Sequence, residues 1–271
     1  MADSPPEDPA SNDKPEETTG GRSMSFLGHL EELRWTLIKC AGAFALIVTG
    51  IAYFMQDFSW VLIWPLEHVR SEYPQLATNL VTNSPMGVFT VVIDICLTGG
   101  IVLSLPFFLL FVGQFIAPAL TRREMKLLVP VSLGMFILFL CGAVFSYFLL
   151  VPNTIRVAFE LNEMLGYQVL WTADKYYSLL MWLVLGVGAS FEFPLLMVLL
   201  VYLGVLKVET LRKYRRHAIV AFFIIAAVVT PTPDPVTQTI FTVPLYLLYE
   251  ISIIVAARIN RRRQVRQKPT G

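Results

Sequence analysis

Three glutamates stand where a carboxylate is costly or out of place: Glu32, Glu124 and Glu192. Glu32 belongs to SFLGHLEELRWTLIK, which leads into the apolar run AGAFALIVTGIAYF. Lys and Arg, not paired acids, usually flank such a run on the cytoplasmic side. Glu124 sits in QFIAPALTRREMKLL, between Arg122 and Arg123 on one side and Lys126 on the other. Acids on two neighbouring cytoplasmic ends suit a cationic ligand with forked donors, such as arginine. The plain alternative is a solvated helix face with local pairs. His29 and Glu32 are i, i+3, as are Glu31 and Arg34, which makes Glu31 the expected local partner of Arg34.

Glu192, in GASFEFPLLMV, falls inside an apolar run, where an acid at the centre of a span costs about 2.5–3.5 kcal/mol on insertion scales. It is expected to face a polar cavity or a protein partner, the plain reading being a hydrogen bond to a neighbouring helix. Pro194 removes a backbone donor two residues later and bends that helix near the acid. Glu250 lies one to two turns from the end of the last apolar run and is expected to snorkel or to pair with a base. Signatures of soluble catalysis are missing: there is no HExxH, GxSxG or GxxxxGK[ST], and no Cys/His metal spacing. His29, His68 and His217 are scattered over loops and ends, so an enzyme is not the expected class. Cys40, Cys96 and Cys141 read as small buried hydrophobes.

The elements that must position these groups follow from composition. The 271 residues are 55% hydrophobic and 15% charged, with a mean hydropathy of +0.62. Soluble domains are about 25% charged, so the chain reads as an all-α integral membrane protein. A bilayer core of about 30 Å takes about 20 apolar helical residues. Such runs fall at roughly 36–55, 96–117, 128–151 and 179–203, with two shorter ones at 218–230 and 239–257. Six spans put both termini on one side. Eighteen of the 21 Lys and Arg residues then lie on that side, and only Arg70, Arg156 and Lys175 face the other. Both termini are therefore expected in the cytoplasm.

Residues 1–24 hold six acids against Lys14 and Arg22, a net charge of −4 in a chain whose total is +1, and are expected to be disordered. They carry neither a signal-peptide nor a transit-peptide pattern. Residues 258–271 form a basic cytoplasmic tail, leaving 25–257 as the membrane domain. Phe26, Leu27, Leu30, Leu33 and Leu37 recur at helical spacing, which predicts an interfacial amphipathic helix running into the first span, with Ser25 as its N-cap. Residues 56–93 and 152–177 form long outward connections with interfacial aromatics, and Pro65, Pro74 and Pro85 are expected to break any long helix in the first. The two halves share no repeat. A solute transporter using Glu192 as an ion or proton site is the alternative reading, and the missing repeat counts against it.

FLGHLEELR, LPFFLLFVGQFIAPALTRREMK, SFEFPLLMVLL and TPTPDPVTQTIFTVPLYLLYEISI, in this order, resemble the motifs of the TatC family, the polytopic receptors of twin-arginine protein translocases. The resemblance covers about residues 24–258. It implies a concave six-helix bundle in the bacterial or archaeal cytoplasmic (inner) membrane, working in a multimeric receptor complex without cofactor, metal or nucleic acid. Single-span TatA/TatB-type partners and twin-arginine signal peptides are the implied ligands, and proton-motive-force-driven export of folded proteins the implied function. By the same resemblance, Glu124 matches the acid that binds the arginine pair and Glu32 the acid that supports it, with His29, Leu33 and Arg34 in the same stretch. Phe115 matches the aromatic before the loop, Glu192 the intramembrane acid, and Pro65 the proline of the first outward connection. Asp234 and Gln238 match the outward turn where a partner helix docks. The sequence departs from the pattern in having two Arg before the loop acid and one extra Pro in TPTPDP.

Overall fold

The computed structural model of the chain describes residues 26–73, 80–116, 122–167, 170–232 and 234–267, without the side chains of 26–27, 109, 116, 122–128 and 262–267. The expected disordered tail and the Ser25 cap lie outside these residues. Ten α-helices make up nearly all of what is described. They are α1 (Phe26–Tyr53), α2 (Met55–Glu72), α3 (Gly87–Ile116), α4 (Arg122–Phe145), α5 (Val151–Met164), α6 (Ala173–Phe191), α7 (Phe193–Tyr202), α8 (Val208–Lys213), α9 (Arg215–Val229) and α10 (Pro235–Gln267). A π-helical turn at Ser146–Leu150 makes α4 and α5 one continuous helical path.

Among the described residues, five stretches are long and apolar enough to cross a bilayer: Gly28–Tyr53, Gly87–Phe115, Val129–Met164, Ala173–Tyr202 and Pro235–Arg261. The chain is a multi-pass membrane protein. With 15 residues, α9 reaches only about 22 Å at 1.5 Å per residue. The last span is not short: α10 runs for 33 residues. It begins at an aspartate cap before the apolar run, and it continues through the Arg-rich segment because Arg and Gln are good helix formers. The backbone of the expected basic tail is thus helical to Gln267.

At the centre lies α6, in contact with α3, α4, α9 and the π-helical turn, while α1 packs along α3 and α10 along α7 and α9. Tyr176, Leu180, Leu183 and Val187, spaced to share one face of α6, are all at most 1% exposed. Glycines set the closest approach, as is usual where no water drives helices together. A Cβ on Gly188 of α6 would stand 2.7 Å from Cε2 of Phe139 on α4, and one on Gly142 of α4 would stand 3.0 Å from the Gly188 Cα. Of the cysteines only Cys96 is buried; Cys40 is half-buried and Cys141 exposed on the bundle's outer surface, where lipid rather than protein covers a small hydrophobe.

The two long connections, expected as outward loops, are helical. In the first, α2 runs for 18 residues straight through Pro65. Proline there removes the donor to the Val61 carbonyl. The Tyr147 hydroxyl bonds that carbonyl instead, and the Tyr176 hydroxyl donates to the Leu62 carbonyl at 2.7 Å. Tertiary donors thus replace the lost helical one, and the helix survives. In the second, α5 buries Val151, Thr154, Ile155 and Phe159 on one face. Arg156 clasps α5 to α2 through bidentate bonds to Glu72 at 2.6 and 2.7 Å, and Tyr73 donates to Glu160 at 2.6 Å. A short parallel pairing of Val81 with Thr172 joins the two connections.

Candidate functional site

The first turns of α1 carry the FLGHLEELR stretch, and helical spacing decides which of its groups look inward. His29, Glu32 and Thr36 fall at i, i+3 and i+7, and this face turns toward the last turn of α3. There the His29 ring stacks on Phe115, with centroids 4.4 Å apart and planes at 21°. Thr36 is buried and donates to the Glu32 carbonyl at 2.9 Å. Glu32 is half-buried, and its Oε2 is shielded from solvent without a hydrogen-bond partner among the described residues. A carboxylate oxygen held in this way costs about 1–3 kcal/mol until a donor reaches it. Such an oxygen is primed for a cation.

Glu31 and Arg34 point away from that face, and both are exposed. No ion pair joins them within 4 Å, contrary to the expected local pairing. An exposed i, i+3 pair contributes only about 0.2–0.5 kcal/mol, too little to hold two long side chains together. Leu30, Leu33 and Leu37 are 46%, 37% and 60% exposed and form the apolar border of the same surface. Phe115 is followed within one residue by the end of α3, and the chain re-enters helix at Arg122. Glu124 therefore lies in the first turn of α4; its side chain lies outside the described residues.

Glu192 marks a break in the fourth span. It has helical backbone angles (φ −73°, ψ −22°) but separates α6 from α7, and Pro194 occupies the first turn of α7. The break is where the sequence places it. The carboxylate opens on a cavity of about 170 Å³ lined by Val131 and Met135 of α4 and by Ala189, Phe193, Leu195, Leu196 and Leu199. Both oxygens are buried without a hydrogen-bond partner among the described residues. The lining is apolar, not the expected polar cavity, because the residues one turn either side of the acid are all hydrophobic. Glu250, in contrast, pairs with Arg215 at 2.8 Å and accepts from the Tyr246 hydroxyl at 3.0 Å, as its position near a basic segment foretells.

At the start of α10, Asp234 is the N-cap. Its Oδ2 accepts from the Thr237 N–H at 2.7 Å and the Thr237 hydroxyl at 2.6 Å, and its Oδ1 accepts from the Val236 N–H at 3.3 Å. Asn153 of α5 in turn donates to the Thr237 hydroxyl at 2.7 Å. Gln238 is half-buried one turn along, whereas Pro65 is buried within α2 and presents no surface. Partial burial raises the Asp234 pKa, but the three hydrogen bonds to its carboxylate outweigh this and hold it below the usual value. A depressed folded pKa gives stability that is complete above the unfolded value near 4 and is lost as pH falls through the folded one. Asp234→Ala should lower thermal stability by about 0.5–2 kcal/mol at neutral pH. The deficit should shrink when melting in detergent is repeated below pH 4.

The sequence-level span boundary at 96 excluded one further acid, Asp94. It lies two turns inside α3, and its Oδ2 accepts from the Ser178 hydroxyl of α6 at 2.7 Å. The acid in VVIDICLT, amid apolar residues, was the signal that would have found it.

Comparison with known proteins bears directly on this arrangement. The family model described as Sec-independent protein translocase protein (TatC) matches residues 28–244. A Sec-independent protein translocase protein TatC of Aquifex aeolicus is 34% identical over 247 residues, covering 90% of this chain and 100% of the relative. TatC of Escherichia coli K12 is 35% identical over 232 residues, 85% of this chain and 87% of its own length. A crystal structure of the twin-arginine translocase receptor TatC in DDM superposes with a TM-score of 0.70 at 34% identity. It covers 84% of this chain and 99% of that one.

Proposed function

Since the chain belongs to the TatC family of Sec-independent protein translocase proteins, we propose that its cytoplasmic α1–α3–α4 corner is the docking site for twin-arginine signal peptides. The protein is a membrane translocase component and not an enzyme. The reading rests on the stacking of His29 on Phe115. That contact brings the FLGHLEELR helix to the end of α3, one short connection before the turn of α4 that holds Glu124. Glu124 and Glu32, whose Oε2 has no hydrogen-bond partner among the described residues, receive the arginine pair, with Leu33 and Arg34 on the rim. A bidentate arginine–carboxylate pair has the planar fork that lysine lacks. The apolar part of the signal then lies along the bundle toward Glu192.

In this reading α9 is a short fifth span crossing a locally thinned bilayer, both termini are cytoplasmic, and the membrane is the bacterial or archaeal inner membrane. The partners are single-span TatA/TatB-type proteins in a multimeric complex, with the proton-motive force as the driving energy. The apolar lining around Glu192 disfavours a solute or ion site there. The test is export of a folded reporter in cells that lack their own TatC and carry this chain with its cognate single-span partners. An Arg-Arg signal should support export and a Lys-Lys signal should not. Equal export with both signals would overturn the assignment.

A further inference from the structure

Opposite the face it buries, α10 carries a stripe that changes character along its length. Leu247, Ile251, Ile254 and Val255 are between 38% and 57% exposed, whereas Tyr249, Ser252, Ile253 and Ala256 are at most 4% exposed. The exposed set recurs at i, i+4, i+7 and i+8, which is one face of a helix. Arg258 and Arg261 continue that face at i+11 and i+14 and are exposed as well. Arg262 follows in the sequence at i+15. One uncovered surface thus runs from aliphatic side chains directly into arginines.

The depth of the change suits a lipid headgroup. At about 1.5 Å per residue from Pro235, Arg258 stands about 34 Å and Arg261 about 39 Å along the helix. A bilayer about 40–45 Å thick with its headgroups, entered at Pro235, has its far headgroup layer at this depth. Neither arginine has an acid within 4 Å among the described residues. Glu250, the last acid of the chain, is held by Arg215 at 2.8 Å, and residues 251–271 carry six bases and no acid. The charge is therefore uncompensated, and a guanidinium is the planar donor that binds phosphate through two bonds. A nucleic acid or an acidic peptide would match the arginines but leave Leu247, Ile251 and Ile254 without an apolar partner. A lipid matches both halves.

We propose that this face of α10 binds one acidic phospholipid, with its net-negative headgroup on Arg258, Arg261 and Arg262 and an acyl chain along Ile254, Ile251 and Leu247. The bases of α8 belong to another surface. The Tyr249 hydroxyl donates to the Leu211 carbonyl at 2.8 Å, which sets α8 against the opposite, buried face of α10. The site is independent of the receptor reading and uses none of Glu32, Glu124 or Glu192.

Full-length protein in detergent is titrated with phosphatidylglycerol or phosphatidylethanolamine, and bound lipid is counted by native mass spectrometry. The wild type should prefer the acidic lipid by about tenfold or more, since each base near an anionic surface is worth about fivefold. Arg258→Gln/Arg261→Gln/Arg262→Gln should bring the two lipids to parity, and Arg258→Gln alone should cost about fivefold. Arg212→Gln/Lys213→Gln/Arg216→Gln, on α8 and α9, makes the same change in net charge and should keep the preference. The thermal transition without added lipid reports folding, and the single variant carries the test if a triple variant melts early. Equal retention of both lipids by the wild type, an unchanged preference without the α10 arginines, or equal loss in the α8–α9 variant would overturn the proposal. Displacement of the lipid by a single-stranded oligonucleotide would overturn it too.

Discussion

Replacing Glu124 with Lys should lower the affinity of the detergent-purified protein for a twin-arginine signal peptide by about 100-fold or more. A hydrogen bond between charged groups contributes about 1.5–3 kcal/mol, and a forked arginine makes two of them with one carboxylate. Solvent at a surface site trims this. What remains is about 2.8 kcal/mol, or two factors of ten. The reversed charge adds repulsion to the ligand beside Arg122, Arg123 and Lys126. Glu32→Gln should cost less, about tenfold, because the amide still accepts one hydrogen bond while losing the charge. Binding is read by photo-crosslinking against peptide concentration, alongside the thermal transition of each variant. Wild-type binding by a Glu124→Lys protein that melts normally would remove Glu124 from the site.

Gly188→Leu should prevent stable assembly of the bundle. The new Cβ alone would stand 2.7 Å from Phe139, whose ring is 4% exposed and closed in by its neighbours. Overpacking a tight core costs about 1–3 kcal/mol, and more when the obstacle is a buried ring. Here α6 carries contacts to α3, α4 and α9, so displacing it disturbs most of the molecule. Gly50→Leu on α1, where nothing lies within 4 Å of the added carbon, is the matched control and should be neutral or slightly stabilising through better helix propensity. Yield of monodisperse protein and its melting temperature in detergent measure both variants. A Gly188→Leu protein that purifies and melts like Gly50→Leu would show that the α4–α6 contact can yield.

Much of this was legible from residues alone, wherever a single strong local effect dominated. Apolar runs long enough to cross a bilayer have no good alternative to helix, because backbone groups in hydrocarbon must bond within their own segment. The break at Glu192 follows from Pro194, and the Glu250 pairing from a base one helix away. The motif order likewise marked the family. Less legible were features whose cause lies on another helix. Pro65 was expected to stop α2, and it would in isolation; the hydroxyl of Tyr147, distant in sequence, takes the Val61 carbonyl it leaves, and that of Tyr176 adds a bond to the next carbonyl, Leu62. The helical α5 and the extended α10 depend on neighbours and a cap that no hydropathy window registers.

For the candidate site the division is similar. Composition, hydropathy and motif order by themselves determined a multi-pass helical membrane protein of a translocase family and pointed to Glu32, Glu124 and Glu192. Only the tertiary structure decided that His29, on the face of Glu32, stacks on Phe115, that Glu192 meets an apolar wall, that Asp234 is spent on its own helix, and that Asp94 ties α3 to α6 through Ser178. Spacing along one helix tells which residues share a face, but which face is covered depends on helices packed from far along the chain.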